Sequence, residues 1–144
     1  MVIGASNAEL RSLTVQSEGN STNIYATAIY NNDASPTLSH LTITASGGTG
    51  ANYGVYNFSS SPAMNNLTIT ASGGTGANYG VSNNYSSSPT IYSSRISGGT
   101  NSVCNSASST AKIANTMLDG TINGPSLFSC IGNYDASFAT KSCP

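Results

Sequence analysis

The chain has 144 residues, with four Lys or Arg, five Asp or Glu, a net charge of -1, three Cys and no Trp. Charge this sparse and balanced leaves no basic stripe to neutralise phosphates, so no nucleic-acid partner is expected, and no polybasic cluster addresses anionic lipid. No stretch of the chain has the length and apolarity of a membrane-crossing helix, and no membrane insertion is expected.

The opening Met1-Val2-Ile3-Gly4 is too short for the apolar region of a secretory signal. Residues 1–7 read as the end of a truncated coil, with a mature N-terminus as the alternative. Leu10, Leu13 and Val15 then begin a pattern that recurs along the chain. Residues 41–55, LTITASGGTGANYGV, return letter for letter at 67–81, an offset of 26. Ser-Pro pairs at Ser35-Pro36, Ser61-Pro62 and Ser88-Pro89 mark the same point of successive units. A fixed period of this size marks a repeat array. Alignment on the prolines produces vertical columns. One holds Leu10, Leu38, Met64, Ile91 and Ile113; a second Leu13, Leu41, Leu67, Ser94 and Thr116. A third holds Val15, Ile43, Ile69, Ile96 and Leu118, and a fourth Ile29, Val55, Val81 and Val103. The unit from Ile91 to Ile113 is shorter, because its glycine-rich loop has lost residues.

Within each unit the period is two. Leu41-Thr42-Ile43-Thr44 alternates apolar and polar side chains, as a half-buried strand does, and no helical periodicity runs far. Each unit is therefore expected to form one coil of about three short strands. Stacked at about 4.8 Å, the coils place each strand beside its copy in a parallel sheet. Leu38, Leu41, Ile43, Val55, Met64, Leu67, Ile69, Val81, Ile91 and Ile96 are expected inside, and Thr42, Thr44, Thr68 and Thr70 outside. Asn31, Asn57, Asn83 and Asn105 each lie two residues after the fourth column and are expected to form an inward hydrogen-bonded ladder. Loss of Asn57 should then cost about 1–3 kcal/mol, and loss of Asn52, in the glycine loop, far less. Ser12, His40, Asn66, Ser93 and Asn115 share a turn column.

The columns, the SPT-x-x-x-LTITASGG unit and the asparagine ladder together resemble the right-handed parallel β-helix repeat proteins of the pectate-lyase-like superfamily, most closely its bacterial repeat proteins. The resemblance covers about residues 8–120. It implies an all-β solenoid of about five coils, 22–28 residues each, over residues 1–120, with a C-terminal capping segment at 121–144. It does not imply one activity, since lyases, glycosidases, adhesins and inert shafts share the fold.

Cys130 and Cys143 lie after the repeat fades; they either bridge and staple the cap or stay free. Cys104, in an outward place held elsewhere by Tyr30, Tyr56 and Ser82, is expected to be a free thiol. Glycoside cleavage needs paired carboxylates, and no column holds two of Glu9, Glu18, Asp33, Asp119 and Asp135. Arg95 and Asp119 are close enough in column terms to form a surface pair. His40 is the only histidine and occupies a turn, so no catalytic residue, metal ligand or cofactor is expected. The loops at 47–52 and 73–78, Gly-Gly-Thr-Gly-Ala-Asn, lack the aspartate that calcium-binding glycine repeats use, and read as flexible turns. Sequons at Asn20, Asn57, Asn66 and Asn84 are expected by chance in this composition.

The remaining ligand-contact candidates are outward Tyr30 and Tyr56, with Tyr53 and Tyr79 nearby, and the outward pairs Thr42/Thr44 and Thr68/Thr70. Stacked tyrosines suit a sugar; ranked threonines suit ice. The expected function is a non-enzymatic extracellular or cell-surface β-solenoid, a spacer or adhesive module of a larger surface protein, with a glycan or cell-surface polymer as partner. The alternative is a fragment of a carbohydrate-active β-helix, a polysaccharide lyase or glycosidase; an ice-binding solenoid is third. The N-terminal coil edge is expected to expose unpaired backbone groups and to support end-to-end homo-oligomers or stacking on a missing upstream domain.

Overall fold

The computed structural model describes residues 1–20, 22–106, 108–124 and 128–144. Ser21 of the Asn20 sequon and residues 125–127 of the expected cap lie outside that set. The strands, in chain order, are β1 Val2–Ile3, β2 Glu9–Arg11, β3 Thr14–Glu18, β4 Tyr25–Asn32, β5 Thr37–Ser39, β6 Thr42–Ser46, β7 Ala51–Phe58 and β8 Ala63–Asn65. They continue as β9 Thr68–Ser72, β10 Asn78–Asn84, β11 Thr90–Tyr92, β12 Arg95–Asn105, β13 Ala111–Ala114, β14 Met117–Asn123 and β15 Phe128–Ile131. No helix occurs among the described residues.

One sheet has the order β1-β4-β7-β10-β12-β9-β6-β3, with β14 also on β12; the other runs β15-β13-β11-β8-β5-β2. Every pairing between these strands is parallel. The chain is thus a β-solenoid of about four turns. The short unit explains why two of its three faces are joined. Elsewhere a glycine loop separates the second strand of a coil from the third, as between β6 and β7. Where that loop is cut, β12 runs through the corner and pairs with β9 at one end and β10 at the other.

The register reproduces the columns. Leu10 pairs with Leu38, Leu38 with Met64, and Ile91 with both Met64 and Ile113. All ten residues expected inside are buried, Leu41 being the most exposed at 2%. Thr42 and Thr68 are exposed, and Thr44 and Thr70 half-buried. A slip of one residue would have exchanged these sets. Leu13 differs from its column: it is 40% exposed, because no coil covers it on the N-terminal side. At the other end the parallel pairing runs past residue 120. Ile113 pairs with Cys130, and Val103 with Ile122, so both columns gain a member. The Cys130–Cys143 disulfide then ties the final segment to β15.

The turns are equally regular. Ser12, His40, Asn66, Ser93 and Asn115 all have φ between 49° and 54°. This left-handed conformation disfavours most side chains, and short polar residues tolerate it best. The Asn66 amide approaches the His40 ring nitrogen at 3.3 Å, one coil along, so the histidine is part of the turn stack.

Polar ladders run inside the prism. Asn31 donates to Asn57, Asn57 to Asn83 and Asn83 to Asn105, each at 2.8 Å and fully or almost fully buried. A second ladder corrects the reading of the glycine loops as flexible turns. Asn52 is fully buried, donates to Asn78 Oδ1 at 2.7 Å and accepts from Gly48 N at 2.9 Å. Its copy Asn78 likewise accepts from Gly74 N. Each asparagine closes its own glycine loop, Asn78 also donating to Gly76 O, and Asn52 joins its loop to the next coil. Serine hydroxyls form a third series, with Ala34 N donating to Ser60, Ser60 N to Ser87, and Ser87 N to Ser109.

Candidate functional site

The face built from β4, β7 and β10 gathers most of the tyrosines. A regular strand sends residues three apart to opposite faces, yet Tyr53 and Tyr56 both point outward. The reason lies between them. Gly54 and Val55 both face inward, and a Cβ on Gly54 would stand 2.4 Å from Ile69 Cγ2 and 2.6 Å from Gly80 O. At Gly54 a side chain would clash, so this inward place takes only a small residue. It works as a local irregularity that re-aims the strand, as bulges do. The same column holds Ala28, Gly80 and Ser102, all small.

The outward columns follow from the register. Thr27, Tyr53 and Tyr79 form one, and Tyr30, Tyr56, Ser82 and Cys104 the other. Tyr53 stacks on Tyr79 with centroids 5.3 Å apart and 14° between planes. Tyr56 meets Tyr53 edge-on at 5.0 Å, and Tyr30 lies 5.5 Å from Tyr56. Tyr25 approaches Tyr53 at 6.3 Å. The stack stops at Thr27, whose small side chain occupies the place of a third ring. That step leaves an open groove of about 420 Å3 lined by Met1, Tyr25, Thr27, Tyr30, Tyr53 and Tyr56.

No charged side chain lines this groove. Burial pushes the Tyr53 phenol up to about 12, and the neighbouring Tyr79, Tyr56 and Tyr25 phenols and the Cys104 thiol add to the effect. Burial first, then Tyr30 and Tyr85, raises Tyr56. Burial also raises Cys104, a free thiol. The site therefore offers apolar ring surface and, at Tyr53 and Tyr56, hydroxyls that burial holds in the un-ionised form. The shift has a sign that can be tested. Tyr53 ionises near 10 when unfolded and near 12 when folded, so its stabilising effect is complete below pH 10 and disappears as pH rises towards about 12. Tyrosinate absorbance of the folded protein should show a late-titrating phenol that Tyr53→Phe removes.

The threonine candidates are stacked as expected: Thr42 opposes Thr68 and Thr44 opposes Thr70. Thr14 extends the first rank, but Gln16 takes the next place in the second, and Arg95 and Ser97 follow on the other side. The register keeps Arg95 and Asp119 two places apart on adjacent strands, as the columns have them, with Arg95 against Met117 and Asp119 against Ser97. The Ser97 hydroxyl donates to Asp119 at 3.2 Å. Among the described residues no group of three His, Cys, Asp or Glu could hold a metal ion.

Of the sequence candidates, the structure joins Tyr30 and Tyr56 to Tyr53 and Tyr79 in one cluster and keeps all four threonines on a separate face. Sequence reasoning missed Tyr25, Thr27 and Met1. No copy of Tyr25 or Thr27 occurs in later units; the alignable signal was that Thr27 stands where the others have Tyr53 and Tyr79. Comparison with family models, curated proteins and solved structures returns no match for this chain.

Proposed function

We propose that this chain is a non-enzymatic solenoid module of a larger extracellular or cell-surface protein, and that it holds a neutral glycan in the tyrosine groove. The observation behind this reading is the step at Thr27. It leaves the stacking place beyond Tyr53 open to a flat, weakly polar ring, with Tyr25 and Tyr30 beside it. A pyranose has apolar C–H faces for the rings and hydroxyls for the phenols, and a groove lined by uncharged side chains suits a neutral polymer. The Cys130–Cys143 disulfide supports an oxidising compartment. Kinship with the pectate-lyase-like superfamily, and the right-handed coil it implies, belong to the same proposal and rest on the repeat pattern.

Affinity electrophoresis through gels containing neutral polysaccharides tests the reading. At least one neutral polymer should retard the protein, and polygalacturonate should not. Tyr30→Ala and Tyr25→Ala should each weaken retardation roughly two- to tenfold, while Thr42→Ala leaves it unchanged. Retardation by no neutral polymer, or equal retardation of the tyrosine variants, would remove the groove from the account. Release of new reducing or unsaturated ends from a retained polymer would overturn the non-enzymatic reading.

A further inference from the structure

The N-terminal end of the solenoid carries a strand that is complementary to a copy of itself. Strand β2, Glu9-Leu10-Arg11, is the last strand of the six-stranded sheet and, among the described residues, pairs only with β5. Ala8 O accepts from Thr37 N, and Ser12 N donates to Ser39 O. Backbone groups alternate sides along a strand, so the N–H and C=O of Glu9 and Arg11 face the free edge.

We propose that this edge pairs with the same edge of a second copy, head to head across a two-fold axis at Leu10. In that antiparallel register Glu9 opposes the partner's Arg11, Arg11 opposes the partner's Glu9, and Leu10 opposes the partner's Leu10. Both outer pairs are of the kind that exchanges two backbone hydrogen bonds, and these are the residues whose backbone groups are free. Both also unite opposite charges across strands. The contact is isologous and closes on itself, giving a dimer and not a fibre.

Three observations converge on a second copy as the occupant. The chain has only nine charged side chains among 144 residues, and two of opposite sign flank the midpoint of this three-residue edge. Leu10 continues the buried column of Leu38 and Met64 but is itself only partly buried. Around it the end of the prism exposes Met1, Ile3, Leu13 and Ile24, at 40–67%. A small hollow of about 100 Å3 opens there into the core beside Leu10, Ile29 and Leu38. Charges at a sheet edge commonly discourage strand addition. Here their order makes one partner, this same strand reversed, the exception.

Sedimentation equilibrium on the full chain decides the matter. The wild type should sediment at twice 14.6 kDa, with weaker association at high salt. Arg11→Glu and Glu9→Arg should each weaken dimerisation by about tenfold or more. The double variant Glu9→Arg/Arg11→Glu, which only exchanges the charges, should recover it. Mixing the two single variants, one edge wholly acidic and the other wholly basic, should produce a heterodimer. Arg95→Glu, on another part of the surface, should leave the wild-type mass intact, and circular dichroism should report folded protein throughout. A strictly monomeric wild type at millimolar concentration overturns the proposal. So does a dimer that both single charge reversals leave unchanged.

Discussion

Replacing Asn57 with alanine should destabilise the solenoid by about 2–5 kcal/mol, more than one lost hydrogen bond would suggest. Asn57 accepts from Asn31 and donates to Asn83, all three fully buried. Its removal strands the Asn31 amide donor and the Asn83 carbonyl together, and each unsatisfied buried group costs about 1–3 kcal/mol. Asn52→Ala is expected to follow at about 1–3 kcal/mol, because Asn52 serves Gly48 N, Ser72 O and Asn78 Oδ1. Chemical denaturation of the two variants beside Thr42→Ala provides the scale. A melting curve for Asn57→Ala that overlays the wild type would mean that the ladder contributes nothing to stability.

The second large effect belongs to Ile69. It is fully buried and stacked between Ile43 and Ile96, so Ile69→Ala should cost about 2–5 kcal/mol. The adjacent Thr70→Ala, on the outer face, should stay within about 0.5 kcal/mol of wild type. Urea titrations with unchanged slope would read both as stability differences. The reverse order of the two would place the wrong residues in the core.

The columns were legible because the chain repeats itself. Two identical copies of LTITASGGTGANYGV fix the offset, and strand alternation then decides which side of each residue is inward. Ile69 and Thr70 needed nothing more. Asn52 was misread for a local reason. Gly-Gly-Thr-Gly-Ala-Asn resembles slack chain when taken alone, and the amide contacts of Asn52 to Gly48 in its own loop and to Ser72 and Asn78 one coil away are not visible in it. The tyrosine site was half legible. Tyr30 and Tyr56 share a column, but the outward turn of both Tyr53 and Tyr56 depends on Gly54 facing inward, which breaks the period of two. The last coils were obscured for another reason again: Cys130 takes a place held by Met64 and Ile91, after the Ser-Pro markers have ceased.

The asparagine ladder has a direction. Each bonded amide nitrogen points toward the C-terminal coil, which leaves Asn31 Oδ1 and Asn105 Nδ2 as buried atoms with no partner among the described residues. Those two orphan atoms exist once per solenoid, whatever its length, whereas each inserted coil adds one internal amide bond and one more layer of Ile or Val. The energetics are therefore those of a one-dimensional lattice with a fixed boundary penalty and a repeating nearest-neighbour gain. Duplication of the 26-residue unit, which the identical copies show has happened at least once, dilutes the boundary penalty over more coils. Elongation by copying is thus favourable in this architecture, and deletion of a coil raises the share of the molecule that is end.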